Sequence, residues 1–257
     1  MTTDYLIAVL QTHFEKIAVQ ELQPVKVAVI DSGIDASHPD LKNRVFEAYR
    51  VEMQKGSPVI VQVDNNKNND ANGHGTAVAS IISSIAPNAR IIDIRVLESD
   101  NFGTGIVLVR GLQYAIERNS KVINMSLAAT EKFSNDLFKL CEAAYYNDQI
   151  VVASKRNMPM GDVGYPAEFS CCIGVDMDNF SFPDTLKYKT DKLIENAAHK
   201  EKDTVAAAGG GYTTMSGTSF TTPNISALCA LLVGYYPKLR PFEVKTILNA
   251  FTTDKVI

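Results

Sequence analysis

The chain alternates short apolar runs, rich in valine and isoleucine, with longer segments of helical periodicity. The runs are VKVAVI (25–30), ARIIDIRVL (89–97), KVINMSL (121–127) and QIVVAS (149–154). Continuous β-branched runs of this length are typical of strands that are buried on both faces of a parallel sheet. Segments 106–119 and 135–147 lie between them and repeat apolar residues every three or four positions. The pattern predicts an α/β fold, with a mostly parallel β-sheet and helices on both faces.

Composition and charge exclude several classes of partner. The chain has 257 residues, of which 46% are hydrophobic and 21% charged, as in ordinary globular proteins. The net charge of −4 and the pI of about 5.6 argue against nucleic-acid and anionic-membrane surfaces, which need concentrated positive charge. The N-terminus lacks the features of a secretion signal, and no apolar run approaches the length of a membrane span. We therefore expect a cytoplasmic protein that binds neither nucleic acid nor a membrane.

The domain organisation is predicted to be simple. We expect one domain over residues 25–257 and a short N-terminal extension at 1–24, which could form an amphipathic helix that ends before Pro24. The lysine-rich stretch 184–203 breaks the alternation and is predicted to be a surface insertion. The cysteines lie in apolar segments without metal-ligand spacing, which indicates reduced, packed thiols; they are Cys141, Cys171, Cys172 and Cys229.

Two side chains occupy positions that suit catalysis. Asp31 directly follows the run VKVAVI, and the carboxyl ends of parallel strands are where ligands and catalytic groups collect. His74 follows a polar loop at 64–72 and begins a helix-like block, with Gly73 and Gly75 on either side. A lone histidine before a helix is often a cap or a surface residue. The flanking glycines instead suggest backbone that is held close to another segment.

A third candidate is Ser219, in the stretch SGTSFTTP (216–223), which runs straight into an apolar block that begins at Ile225. The stretch predicts a helix N-terminus, where unpaired N–H groups and the helix dipole stabilise a developing oxyanion. The alternative is that the serine merely caps the helix. A serine nucleophile also needs a base and a group that orients the base, which His74 and Asp31 could supply.

Three segments, VAVIDSGID, NGHGTAVAS and SGTSFTTP, resemble the Asp, His and Ser motifs of the subtilisin-like serine proteases, in the same order. The resemblance implies the subtilisin-like three-layer fold. It also implies that Ser219 is the nucleophile, His74 the general base and acid, and Asp31 the carboxylate that orients His74. By the same resemblance Asn157, in VVASKRN, donates to the oxyanion hole, although Lys155 and Arg156 replace the family's small residues before it.

The resemblance also implies a peptide substrate that binds as an extended strand. The residues expected to line its site are Asn101, Phe102, Gly103, Ser126, Leu127, Ala128, Ser154, Lys155, Arg156 and Gly164. These segments contain no carboxylate, so we expect the pocket for the residue before the cut to reject Arg and Lys and to favour Leu, Met, Phe or Tyr. An inward-pointing Arg156 would instead select an acidic or a small residue.

The expected function is that of an intracellular serine endopeptidase that hydrolyses peptide bonds through an acyl-enzyme. A narrow role, such as removal of a leader from a peptide precursor, is the more specific expectation. No cofactor is implied, and no metal site is carried over, because the helix after His74 lacks the calcium-holding loop of many relatives. The alternatives are a peptide ligase or macrocyclase on the same triad and a catalytically silent peptide-binding module.

Overall fold

A computed structural model describes residues 22–156, 164–178, 186–189, 194–199 and 203–250. The helix predicted within residues 1–24 lies outside this part of the chain, apart from Leu22 to Pro24. Gln23 donates its backbone N–H to the carbonyl of Gly234 at 3.0 Å, which ties the start of the described chain to the end of a long helix.

One sheet of nine strands organises the molecule, in the order β3-β2-β4-β1-β5-β6-β7-β9-β8. The strands are β1 (Val25–Asp31), β2 (Val45–Gln54), β3 (Ser57–Val63), β4 (Ala89–Arg95), β5 (Val122–Met125), β6 (Ile150–Ser154), β7 (Ile173–Asp178), β8 (Leu186–Tyr188) and β9 (Asn196–His199). The pairs from β2 to β9 are parallel, and the edge strands β3 and β8 are antiparallel to their neighbours. Strands β10 (Asp203–Ala206) and β11 (Tyr212–Met215) form a separate antiparallel hairpin.

Helices cover both faces of the sheet. They are α1 (His74–Ile85), α2 (Gly105–Glu117), α3 (Ser134–Tyr146), α4 (Thr218–Tyr235) and α5 (Pro241–Ala250), with short 3-10 turns at Pro39–Leu41 and Glu131–Phe133. Val27 and Val29 of β1 belong to a core cluster with α1, α4 and α5, whereas Ala28 and Ile30 belong to a second cluster with α2 and α3. Because successive side chains of a strand point to opposite faces of the sheet, the side chains on both faces of β1 are buried. The predicted three-layer α/β fold is confirmed.

The stretch 184–203 is not the surface insertion that the sequence predicts. Its described parts add β8 and β9 to the edge of the main sheet, with Val175 of β7 in register with Asn196 of β9. Asn196 and Ala197 are buried. The apolar residues are few and lie between charged ones, so no continuous run indicates a strand. Pairing with β7, which sequence periodicity cannot show, provides the burial.

Helices α1 and α4 form the interior of one layer. In α1 the residues from Gly75 to Ser83 are buried, and in α4 the residues from Ile225 to Gly234 are buried. Small side chains let the two helices approach each other and the sheet. Helix α1 is continuous, and β4 begins at Ala89 soon after it ends, which confirms that no loop interrupts it.

The cysteines are free thiols, and those at 141, 172 and 229 are buried while Cys171 is partly exposed. Within the residues that the structure describes, no helix is both long and apolar enough to span a lipid bilayer.

Candidate active site

Asp31 is the last residue of β1 and is fully buried. Its Oδ1 atom accepts a hydrogen bond from His74 Nδ1 at 2.7 Å and another from the backbone N–H of Ser32 at 2.7 Å. Its Oδ2 atom has no hydrogen-bond partner among the described residues. Since a carboxylate only accepts, the proton lies on His74 Nδ1, and the Nε2 atom is left as the basic nitrogen of the neutral ring.

The glycines that flank His74 have the role that the sequence suggests. Gly73 precedes α1 with φ of 98°, a conformation that side chains rarely adopt. A Cβ atom on Gly75 would lie 2.1 Å from the carbonyl oxygen of Gly33. The first turn of α1 therefore lies in backbone contact with the loop after β1, and this contact brings the imidazole within reach of Asp31.

Ser219 is the second residue of α4, which begins after Gly217 at φ of 137°. Its N–H belongs to the first helical turn, where amides have no intrahelical acceptor. The ring of the next residue, Phe220, packs on the imidazole of His74 with centroids 5.0 Å apart. Thr218 Oγ1 donates to the carbonyl of Lys155 at 2.9 Å and fixes the turn against the end of β6. Asp31 and His74 are thus joined by a hydrogen bond, and the residue that follows Ser219 packs on the same imidazole.

A cavity of about 620 Å³ opens beside Ser219. Nine of the ten residues predicted to line a peptide site line it: Asn101, Phe102, Gly103, Ser126, Leu127, Ala128, Ser154, Lys155 and Arg156. Gly164 lies just behind this wall, because a Cβ atom built on it would be 2.8 Å from Arg156 Cβ. The structure brings the predicted set together in one place.

The segment Asn101–Gly103 follows a turn that begins at Glu98. Glu98 donates its N–H to the carbonyl of Phe102 at 2.9 Å, and Asn101 has φ of 62°. Phe102 is 75% exposed. The other segments of the wall are ordered by the sheet, with Lys155 Nζ held at 2.8 Å by Asp176 of β7. Asn157 lies outside the described residues, so its predicted role stays a prediction.

Sequence reasoning missed several polar residues near the site. Glu168 Oε1 accepts the N–H of Gly164 at 2.8 Å, which places a carboxylate beside the cavity wall. Asp93 of β4 is fully buried beneath the loop after β1, where Oδ2 accepts from the N–H of Ile34 at 3.2 Å. Burial raises the pKa of Asp93 to about 8. A single aspartate within the apolar run ARIIDIRVL is the one sequence signal that could have revealed it.

His74 is a stronger base than an isolated histidine. Its side chain is only 14% exposed, and burial by itself disfavours the imidazolium. The charge and the hydrogen bond of Asp31, with a further contribution from Asp70, outweigh that effect and raise the pKa of His74 above its usual value of 6.5. The imidazole is therefore suited to take a proton from a neighbouring hydroxyl.

The fold and the site define an α/β protein with a hydrogen-bonded Asp–His pair at the carboxyl edge of a mostly parallel sheet. Residues 23–255 match the model of the subtilase family. The chain belongs to the subtilase family.

Individual relatives agree with this assignment. The chain is 32% identical over 223 residues to an intracellular serine protease of Paenibacillus polymyxa, covering 81% of this chain and 66% of that protein. It is 31% identical over 250 residues to subtilisin E of Bacillus subtilis, covering 89% of this chain and 60% of the relative. The solved structure of sphericase superposes with a TM-score of 0.73 at 25% identity, over 89% of this chain and 83% of that one. The chain thus spans less than two thirds of the length of the two sequence relatives.

We predict that the imidazole of His74 titrates above its usual pKa of 6.5 and that Asp31→Asn lowers this pKa. The substitution removes the charge that favours the imidazolium and leaves burial, which opposes it. Imidazole NMR spectra recorded against pH measure both values, and His74→Gln assigns the resonance. An unchanged titration in Asp31→Asn would contradict the role of the 2.7 Å contact.

Proposed function

We propose that the chain is a serine endopeptidase in which Asp31, His74 and Ser219 form the catalytic triad. The observation that carries the proposal is the 2.7 Å hydrogen bond between His74 Nδ1 and buried Asp31 Oδ1, beside a cavity that Ser219 lines. The packing of Phe220 on the imidazole supports it, because it joins the nucleophile's own helix to the base. Membership of the subtilase family is the second line of support.

The arrangement suits acyl transfer. His74 Nε2 removes the proton of Ser219 Oγ as this oxygen attacks the substrate carbonyl, and Asp31 stabilises the resulting imidazolium. His74 then gives that proton to the leaving amine, so that the C–N bond breaks and an acyl-enzyme forms. A water molecule repeats the sequence, with His74 again as base, and releases the acid. The N–H of Ser219, at the start of α4, and the side chain of Asn157 stabilise the oxyanion in this proposal.

We further propose that the substrate is a peptide segment, that the enzyme acts in the cytoplasm, and that its role is narrow, such as removal of a leader from a peptide precursor. The cavity of about 620 Å³ is large enough for a few side chains of an extended peptide segment. One relative is named an intracellular serine protease, which supports the proposed location.

Ser219→Ala should abolish turnover and covalent labelling by a fluorophosphonate, because the substitution removes the nucleophile and little volume. We expect kcat to fall by roughly 10⁴-fold or more. The matched control is Ser216→Ala, which removes an exposed hydroxyl three residues earlier and should retain both properties.

Mass spectrometry of the reaction products tests the remaining alternatives. Two linear fragments support hydrolysis, and a cyclic or joined product would indicate a ligase. Absence of labelling in a folded wild-type protein that binds peptide would indicate a silent binding module and would overturn the proposal.

For Asn157→Ala we expect kcat to fall by about 10²- to 10³-fold with little change in KM, as for a donor that acts mainly in the transition state. Steady-state kinetics on one peptide measure this effect. Asn147→Ala, at an exposed residue after α3, serves as the control and should keep the wild-type rate. An unchanged kcat in Asn157→Ala would place the oxyanion donor elsewhere.

Cleavage should favour Leu, Met, Phe or Tyr before the cut and should disfavour Arg and Lys, because desolvating an unpaired charge costs several kcal/mol. Glu168 is tested as well, because its carboxylate lies beside the cavity wall, where it accepts the N–H of Gly164 at 2.8 Å. The measurement is kcat/KM for peptides that differ only at this residue, in the wild type, Arg156→Gly and Glu168→Gln.

Each outcome identifies the side chain that sets the preference for the residue before the cut. An apolar preference that survives both substitutions supports the prediction. A preference for Arg or Lys that disappears in Glu168→Gln would contradict it and make Glu168 the selecting group. A preference for Asp or Glu that disappears in Arg156→Gly would show that Arg156 turns inward.

A further inference from the structure

Asp70 lies in the loop before α1 and is surrounded by hydrogen-bond donors. Its Oδ1 atom accepts from Ser32 Oγ at 2.7 Å, from the N–H of Gly73 at 2.9 Å and from the N–H of Asn72 at 3.1 Å. Its Oδ2 atom accepts from the N–H of Thr76 at 2.9 Å and from Thr76 Oγ1. In each of these contacts Asp70 is the acceptor, so its carboxylate joins Ser32, the residues before α1 and Thr76.

One set of these contacts leads to the orienting carboxylate of the triad. Ser32 Oγ donates to Asp70 and accepts the N–H of Gly75 at 2.9 Å. The backbone N–H of the same Ser32 donates to Asp31 Oδ1 at 2.7 Å. Asp70 thus fixes the residue whose N–H donates to the same Asp31 oxygen as the imidazole.

The other set leads to the base. Gly73 precedes α1 and has no side chain to cap it. The first four amides of this turn are instead satisfied from outside the helix: those of Gly73 and Thr76 by Asp70, that of His74 by Asn72 Oδ1 at 2.9 Å, and that of Gly75 by Ser32 Oγ. Asp70 is one of these acceptors, and it accepts hydrogen bonds from the residues that supply the other two, Ser32 and Asn72. Its carboxylate replaces the missing cap and fixes the direction in which α1 starts.

The charge of Asp70 also acts on the site. After burial and the direct contact with Asp31, it is the further contribution that raises the pKa of His74. The other ionisable groups nearby are Asp31, Asp93 and Arg95. Asp93 is buried on the neighbouring strand, and the charges of Asp70 and Asp31 help to raise its pKa. Arg95 donates from Nη1 to the carbonyl of Asn69 at 3.4 Å.

We propose that Asp70 is a positioning residue of the triad: it holds Ser32 and the first turn of α1 so that His74 Nδ1 and Asp31 Oδ1 meet at hydrogen-bond distance. The inference rests on the proposed function and adds a fourth side chain to the machinery. Asp70 does not contact the reacting atoms. It acts by aligning Asp31 and His74 and through its charge.

The test compares Asp70→Asn with Asp64→Asn, which changes an exposed carboxylate of the same loop whose side-chain partners among the described residues are the neighbouring Asn66 and Lys67. For Asp70→Asn we expect kcat to fall by about 10- to 100-fold with KM within about twofold of the wild type, because the base loses its alignment while the peptide site is untouched. The acid limb of kcat/KM should move to lower pH, since the loss of a nearby negative charge lowers the pKa of His74. Asp64→Asn should change neither quantity.

A purely structural cap predicts a different result. It would lower the melting temperature of Asp70→Asn without moving the acid limb or the NMR titration of His74, and that outcome overturns the proposal. If Asp70→Asn does not fold, Ser32→Ala removes the hydroxyl that joins Asp70 to the N–H of Gly75. We expect a smaller decrease in kcat at constant KM in this variant. A wild-type kcat in Ser32→Ala would overturn the proposal.

Failure of the proposed protease function can be distinguished from failure of the proposal for Asp70. A folded wild type that neither hydrolyses peptides nor labels with a fluorophosphonate refutes the protease assignment. The NMR titration of His74 then still decides whether Asp70 acts on the Asp–His pair.

Discussion

The close contact between the first turn of α1 and the end of β1 is the constraint on which the rest of the site depends. A side chain at Gly75 has no room, since its Cβ atom would lie 2.1 Å from the carbonyl oxygen of Gly33. Because the two backbones touch, His74 reaches the buried carboxylate of Asp31 with a short hydrogen bond. Helix α1 must then continue through the interior, where it packs against α4, and α4 begins with the residues around Ser219.

The loop after β1 also holds the segment that leads to the nucleophile. Asp35 Oδ2 accepts the N–H of Gly209 at 2.7 Å, in the turn of the β10–β11 hairpin. His38 is buried and accepts the N–H of Asp40 through Nδ1, so its Nε2 carries the proton and donates to the carbonyl of Gly211 at 2.8 Å. Strand β11 ends shortly before Gly217. One short loop therefore orients both the carboxylate side and the serine side of the site.

Much of this architecture could be predicted from sequence because the informative residues are local. Buried parallel strands need continuous apolar runs, so β1 and β4 to β6 are evident, and Asp31 is recognisable by its place after such a run. The contacts of Asp70 could not be predicted, because nothing in the polar loop DNNKNNDAN distinguishes the carboxylate that turns inward from Asp64, which stays outside. Strands β8 and β9 were missed for a related reason: the neighbours that bury them are distant in sequence. The roles of the site residues, Asn157 included, stay proposals.

The position of α4 in the chain has a consequence for the order of events during synthesis. This helix is buried along most of its length and packs beside α1 on one face of the sheet, yet it follows all of the strands. A growing chain has already produced β1, α1 and the sheet strands when α4 leaves the ribosome, and until then the apolar surface that α4 covers is exposed. The nucleophile arrives on the same segment that completes the core. Assembly of the catalytic residues and closure of the hydrophobic interior are therefore a single late step, and a nascent chain holds its base and carboxylate without a serine to activate.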